Sequence, residues 1–297
     1  MTFRLHKILI ETNLFIAFAA VAFLWANVYL LGLNKNNLFI LSFQVFFSTW
    51  FVYQISRWIY YKKGQYINEN ELVVQWFKKF PKFNEFTIYG SGIITIILTC
   101  FLKWKTILVL GVIGGISVLY PFQILKPFGI QTRLRDFPFL KIFLIAIVWS
   151  TTSVILPATE TNINFHERKD IILVFITQFI FILFITLPFD INDAEMDKST
   201  RIKTIPTVFG IRISKIICLI LGIVYGILML YVFMIENWRV INAIYLREST
   251  IIAIWILILL LQIFTFIKSD KAPKWLIKVV YDGSMILYFC ILFFTVK

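Results

Sequence analysis

Phe189–Gly210 reads F-D-I-N-D-A-E-M-D-K-S-T-R-I-K-T-I-P-T-V-F-G and follows a long apolar run. It places four acids within eight residues, where burying a carboxylate without a partner is prohibitive. On a helix, Asp190, Asp193 and Asp197 fall at about 0°, 300° and 340°, one narrow stripe, while Glu195 at about 140° points elsewhere. Three carboxylates on one face repel one another unless they share a cation. Hard oxygen ligands suit Mg²⁺, which keeps several waters, takes one or two carboxylates and is completed by substrate phosphates. Asp190, Asp193 and Asp197 are therefore candidate metal-binding and catalytic residues. Lys198, Arg201 and Lys203 follow at once, able to meet the remaining phosphate charge. The other reading of the stretch is a solvated, charge-mixed loop between two membrane helices.

The rest of the chain makes that setting a membrane. Of 297 residues, 60% are hydrophobic and only 15% charged, and the mean hydropathy is +0.84, which excludes an ordinary soluble domain. Runs of spanning length predict nine helices, at 8–31, 38–60, 86–102, 105–125, 138–157, 171–189, 212–234, 249–267 and 279–296. The first run is full-length and lacks a cleavage site, so it is expected to be retained as a helix. With the N-terminus in the cytoplasm, Lys and Arg on that side outnumber those on the other by more than two to one. This orientation places the Asp-rich stretch in the cytoplasm. The net charge of +13 is thereby read as topology, and no nucleic-acid partner is expected. Cys100, Cys218 and Cys290 stand singly within spans, as buried small apolar residues do. With only His6 and His166, no histidine-based site is expected.

The second helix carries Thr49, Tyr53, Ser56, Arg57 and Tyr60 at spacings of three and four, a polar stripe on a helix otherwise built of Phe, Trp and Ile. Such a stripe faces protein or a cavity. After it, residues 61–85 form a charged connection with an amphipathic piece from 72 to 80, either an interfacial helix or a lid. The fourth helix, with Gly111, Gly114 and Gly115, allows close packing or a kink. In the fifth and sixth, Trp149, Thr151, Thr152, Pro157 and Gln178 are points that could border a cavity. Asp282 is expected at the N-terminus of the ninth helix, a position the helix dipole favours for structural reasons.

The Asp-rich stretch resembles the second aspartate-rich motif of the UbiA superfamily of intramembrane prenyltransferases. That motif has the form D-x-x-D-x-x-x-D, then a basic residue and T-x-P, matched by Asp190, Asp193, Asp197, Lys198, Thr204 and Pro206. Arg201 stands where the family commonly has Gly. The resemblance implies an all-α bundle of about nine transmembrane helices, one domain over 1–297. It implies a prenyltransferase that moves a prenyl group from a prenyl diphosphate to a lipophilic aromatic acceptor, as in quinone biosynthesis, with Mg²⁺ as cofactor. The pattern Y-x-x-x-x-L-K from Tyr120 to Lys126 resembles a further family feature and makes both residues candidate substrate contacts. The family's first motif, N-D-x-x-D-x-x-x-D, has no counterpart, because Ser48–Arg57 contains no carboxylate. Arg57 then has three readings. It can grip diphosphate in place of a metal-bound cluster, with Tyr53 and Thr49 deeper in the same stripe; it can mark a chain that binds or transports isoprenoids without catalysis; or it can snorkel to the interface. A CDP-alcohol phosphotransferase is excluded, because the glycine its motif needs after the second Asp is Ala194 here and its downstream acids are missing.

Overall fold

The computed structural model describes residues 9–10, 12–36, 38–62, 64, 72–119, 139–163, 168–199, 202–238 and 248–295. Among them every regular element is helical. In chain order these are α1 (Leu14–Leu30), α2 (Leu38–Lys62), α3 (Leu72–Lys79), α4 (Pro81–Thr99), α5 (Trp104–Leu119), α6 (Leu140–Ser150), α7 (Leu156–Glu160), α8 (Asp170–Asn192), α9 (Ala194–Ser199), α10 (Ile205–Phe209), α11 (Ile211–Trp238), α12 (Glu248–Lys268) and α13 (Lys274–Thr295). A π-helical turn, Thr151–Ile155, joins α6 to α7 into one rod. Each of the nine apolar runs overlaps a helical segment among the described residues, while the count of nine spans is not confirmed. Six helices among the described residues are long and apolar enough to cross a membrane, while Leu14–Leu30 and Trp104–Val118 are apolar but shorter.

The bundle is glued by small residues and by side chains that answer freed backbone groups. In α8, Pro188 removes the amide that would have bonded to the Phe184 carbonyl, and the Cys218 thiol of α11 donates to that carbonyl at 3.5 Å. On α11, Gly226 lets the Trp255 indole of α12 pack against the backbone: a Cβ there would stand 2.6 Å from the ring. One turn earlier, Gln262 reaches past Gly222 to donate to the carbonyls of Cys218 and Leu219, both at 3.2 Å. Outward faces carry Phe86, Ile96, Leu108, Ile227, Leu259 and Phe294, all exposed. A continuous apolar exterior is what a lipid solvent permits and water does not.

Two of the helix starts lie more than a turn earlier than hydropathy predicts. α4 begins at Pro81, a proline in the first helical position, and not at 86. α13 begins at Lys274, directly after Pro273, and not at 279. The amphipathic piece 72–80 is the short α3, which buries Val74, Trp76 and Phe77 and is pinned by the Trp76 indole donating to Asn84 Oδ1 at 2.9 Å.

Candidate active site

The Asp-rich stretch is not one unbroken helix. α8 stops at Asn192, Asp193 is its C-cap with φ −89° and ψ 2°, and Asp197 belongs to α9. Backbone bonds of helical spacing still run across the break, from Asp193 N to Phe189 O and from Asp197 N to Asp193 O, each 2.9 Å. The acids therefore stay near one another but receive different partners. Asp190, deeply buried, accepts from Lys141 in the first turn of α6, with Nζ to Oδ1 at 2.5 Å. Asp190 is buried while Lys141 is partly exposed, so it is the carboxylate that depends on its partner: removing Lys141 would leave a buried charge uncompensated. Asp193 Oδ1 lies 3.3 Å from Lys274 Nζ but makes no hydrogen bond among the described residues, leaving a buried acceptor. Asp193 and Asp197 both lie close enough to act electrostatically on Lys141.

The residues after the acids do structural work. Thr204 caps α10 through a capping box with Thr207, whose hydroxyl oxygen accepts from Thr204 N at 2.8 Å, and Pro206 sits in the first turn. Gly210, at φ 84°, turns the chain from α10 into α11, a conformation that favours glycine. Asn192, between the first two acids, donates to the carbonyls of Ser269 and Ala272, both at 2.9 Å. It ties the end of α8 to the α12–α13 turn. That turn is held from α11 as well, by Lys215 donating to Asp270 at 2.8 Å and to the Phe266 carbonyl at 3.0 Å. The Lys215 ammonium holds the Asp270 carboxyl below the usual carboxylate range. The start of α13, and with it Lys274 and Lys278, is thus aimed from the motif itself.

These elements enclose two cavities. The polar one, about 260 Å³, is lined by Asn13 before α1, Tyr53 and Arg57 of α2, Lys141 and Trp149 of α6, Asp190 and Asp193, and Lys278 and Asp282 of α13. The second, about 530 Å³, is mostly apolar and lies among α2, α4, α5 and α6, with Trp149 and Thr152 on its wall beside the π-turn. Tyr53, Ile145 and Trp149 belong to both linings and form the shared wall. The π-turn next to Pro157 is a distortion often found at functional sites, and it lies where α6 borders the chambers.

Of the residues singled out by sequence, Asp190, Asp193, Arg57 and Tyr53 meet in the polar cavity. Thr49 lines only the apolar one, one turn of α2 from Tyr53, which lines both. Asp197 is buried but outside both linings, and Lys198 and Lys203 are exposed and also outside them. Tyr120, Lys126 and Arg201 lie outside the described residues. Three contributors escape a reading by local motif: Lys141, Lys278 and Asp282. Asp282 is not at a helix N-terminus but in the third turn of α13, facing the polar cavity. The signal for Lys141 was present, since an ionisable residue inside a span calls for a partner.

The all-helical membrane bundle agrees with what comparison finds. The UbiA prenyltransferase family model matches residues 86–288. The chain belongs to the UbiA prenyltransferase family. It is a multi-pass integral membrane protein. Among solved structures it is similar to an apo UbiA homologue from Aeropyrum pernix K1, at 10% identity and TM-score 0.66, over 94% of this chain and 96% of that one. It is also similar to a UbiA homologue from Archaeoglobus fulgidus bound to DMAPP and Mg²⁺, at 15% identity and TM-score 0.64, over 96% and 98%. The same homologue bound to GPP and Mg²⁺ gives 14% identity and TM-score 0.63 over the same shares. At these identities the likeness shows the UbiA fold. No curated protein matches the chain by sequence.

Proposed function

We propose that the chain, as one domain over 1–297, transfers a prenyl group from a prenyl diphosphate to a lipophilic aromatic acceptor, with Mg²⁺ as cofactor. The observation that carries this reading is the pair of chambers meeting at Tyr53, Ile145 and Trp149, one charged and one apolar, as an amphipathic donor requires. The diphosphate belongs in the polar chamber, among Arg57, Lys141 and Lys278. Relatives of this fold bind DMAPP and GPP with Mg²⁺, which supports the donor class.

The residues present fit a divalent ion of this kind. Among the described residues no three His, Cys, Asp or Glu side chains form a metal cluster by themselves. Mg²⁺ asks for less, one or two carboxylates completed by phosphate oxygens and water. Asp193, with its buried unbonded Oδ1, and Asp190 would hold it, and it would neutralise charge on the departing diphosphate. In the reaction the bond from prenyl C1 to the diphosphate oxygen breaks, and its electron pair leaves with the diphosphate. The acceptor bonds to C1 and gives up a proton to an oxygen of the polar chamber. Arg57, Lys141 and Lys278 stabilise the leaving group by preorganised charge. The apolar walls keep water from the allylic cation. The excess of basic residues supports an orientation with the N-terminus and this chamber on the cytoplasmic side.

Purified protein in lipid nanodiscs, given geranyl diphosphate, Mg²⁺ and a lipophilic phenol, should release diphosphate and yield one geranylated product per diphosphate, read by mass spectrometry. Tight donor binding with neither product would favour a non-catalytic isoprenoid-binding role, the reading to which the carboxylate-free Ser48–Arg57 stretch points.

A further inference from the structure

The polar chamber is rich in charge but carries no net charge. Its lining holds three cations, Arg57, Lys141 and Lys278, and three carboxylates, Asp190, Asp193 and Asp282. Counted at their ordinary charges these cancel, so the chamber as a whole offers no net attraction to an anion. Two of the carboxylates have an evident use. Asp190 accepts from Lys141, and Asp193, with Asp190, belongs to the proposed Mg²⁺ position. Asp282 has neither role.

Asp282 is placed by α13. Lys278, Asp282 and Met285 recur at spacings of four and three and all line the chamber, so one face of α13 is turned to it. Among the described residues no three acids, histidines or cysteines converge on one point, so Asp282 does not join Asp190 and Asp193 around a single ion. Its neighbours are cations instead. Arg57 of α2 and Lys278, one turn earlier on α13, both lie close enough to act electrostatically on it, and it acts in turn on Tyr53 at the shared wall. The two cations it faces are ones that a diphosphate in this chamber would use.

We infer that Asp282 determines specificity, as an internal counter-ion to Arg57 and Lys278 that admits diphosphate bound to a divalent metal and disfavours the metal-free anion. The inference rests on the reading that this chamber receives the diphosphate of the donor. A prenyl diphosphate carries about three negative charges when fully ionised and about one once Mg²⁺ is bound. Repulsion from one fixed carboxylate grows in proportion to the charge of the ligand, so in free energy Asp282 opposes the free anion about three times as strongly as the metal complex. Among apolar helices salt screens that difference only weakly. Asp193 acts in the opposite sense, because a metal answers its charge: losing Asp193 weakens the metal complex, and losing the Asp282 charge does not.

The test measures equilibrium binding of labelled geranyl diphosphate to the full chain in nanodiscs at pH 8, with Mg²⁺ and with EDTA. In Asp282→Asn, which keeps the shape and removes the charge, metal-free binding should tighten about tenfold and binding with Mg²⁺ only about twofold, so that the cost of chelation falls about fivefold from its value in the parent. Asp282→Glu, which keeps the charge, should retain the parent's metal dependence. Unchanged metal-free affinity in Asp282→Asn overturns the inference, and so does a Glu variant that behaves like the Asn one. Weaker binding of Asp282→Asn with Mg²⁺ overturns it as well, by making Asp282 a metal ligand. If Asp282→Asn does not fold, the parent decides by itself: without metal, geranyl monophosphate, which has fewer charges, should bind at least as tightly as geranyl diphosphate, and the order should reverse with Mg²⁺. Metal-free diphosphate bound about tenfold more tightly than the monophosphate overturns the inference. Failure of the parent to bind donor with Mg²⁺ contradicts the proposed function and this inference together; Mg²⁺-dependent binding with the same cost of chelation in Asp282→Asn contradicts this inference alone.

Discussion

Asp193→Ala lowers diphosphate release from geranyl diphosphate by about 100-fold or more, with the thermal unfolding midpoint nearly unchanged. The expectation comes from the position of Asp193 at the break between α8 and α9. Its carboxylate lines the polar chamber, and beyond the 3.3 Å approach of the exposed Lys274 ammonium its Oδ1 has no hydrogen-bond partner among the described residues, so little structure depends on it and a metal–diphosphate complex can use it. Asp193→Asn should behave alike, because the amide keeps the shape and loses the charge. Asp197→Ala should cost far less, since Asp197 lines neither cavity. Rates of Asp193→Ala within threefold of the parent would remove Asp193 from the site.

Arg57→Lys weakens binding of the prenyl diphosphate by about tenfold, and Arg57→Ala by more. Arg57 faces the same chamber as Asp190, Asp193, Lys141 and Lys278, on the helix that carries no acid between Ser48 and Arg57. A guanidinium grips phosphate oxygens in a fixed fork, and an ammonium on a flexible stem cannot reproduce it. Affinity is measured with labelled donor at saturating Mg²⁺, so that loss of a metal site is not confused with loss of the fork. If both variants bind donor like the parent, Arg57 is snorkelling to the interface.

What was legible in the sequence was what a single segment encodes. Long apolar runs located nine helical segments because backbone satisfaction in lipid leaves no alternative to helix. Dense charge at 190–197 singled out a candidate site, as acids next to a span need partners. Helix starts were misjudged where charged residues open a helix, as Lys82 and Glu85 do after Pro81, and Lys274 and Lys278 after Pro273. One of those errors propagated into function: moving the start of α13 from 279 to Lys274 carries Asp282 from the helix end to the chamber wall. The pairing of Lys141 with Asp190 joins residues 49 apart, and no local spacing announces it. The break at Asp193 was likewise hidden, because the helical periodicity of the three acids continues across it.

The most direct test of the account is equilibrium binding of labelled geranyl diphosphate to the purified parent chain, with Mg²⁺ present and after chelation by EDTA. Saturable binding at one site per chain with Mg²⁺, weakened at least tenfold by chelation and displaced by inorganic diphosphate, is the predicted result. Binding that is indifferent to both chelation and inorganic diphosphate would show that the charged chamber does not receive the diphosphate, and would contradict the account.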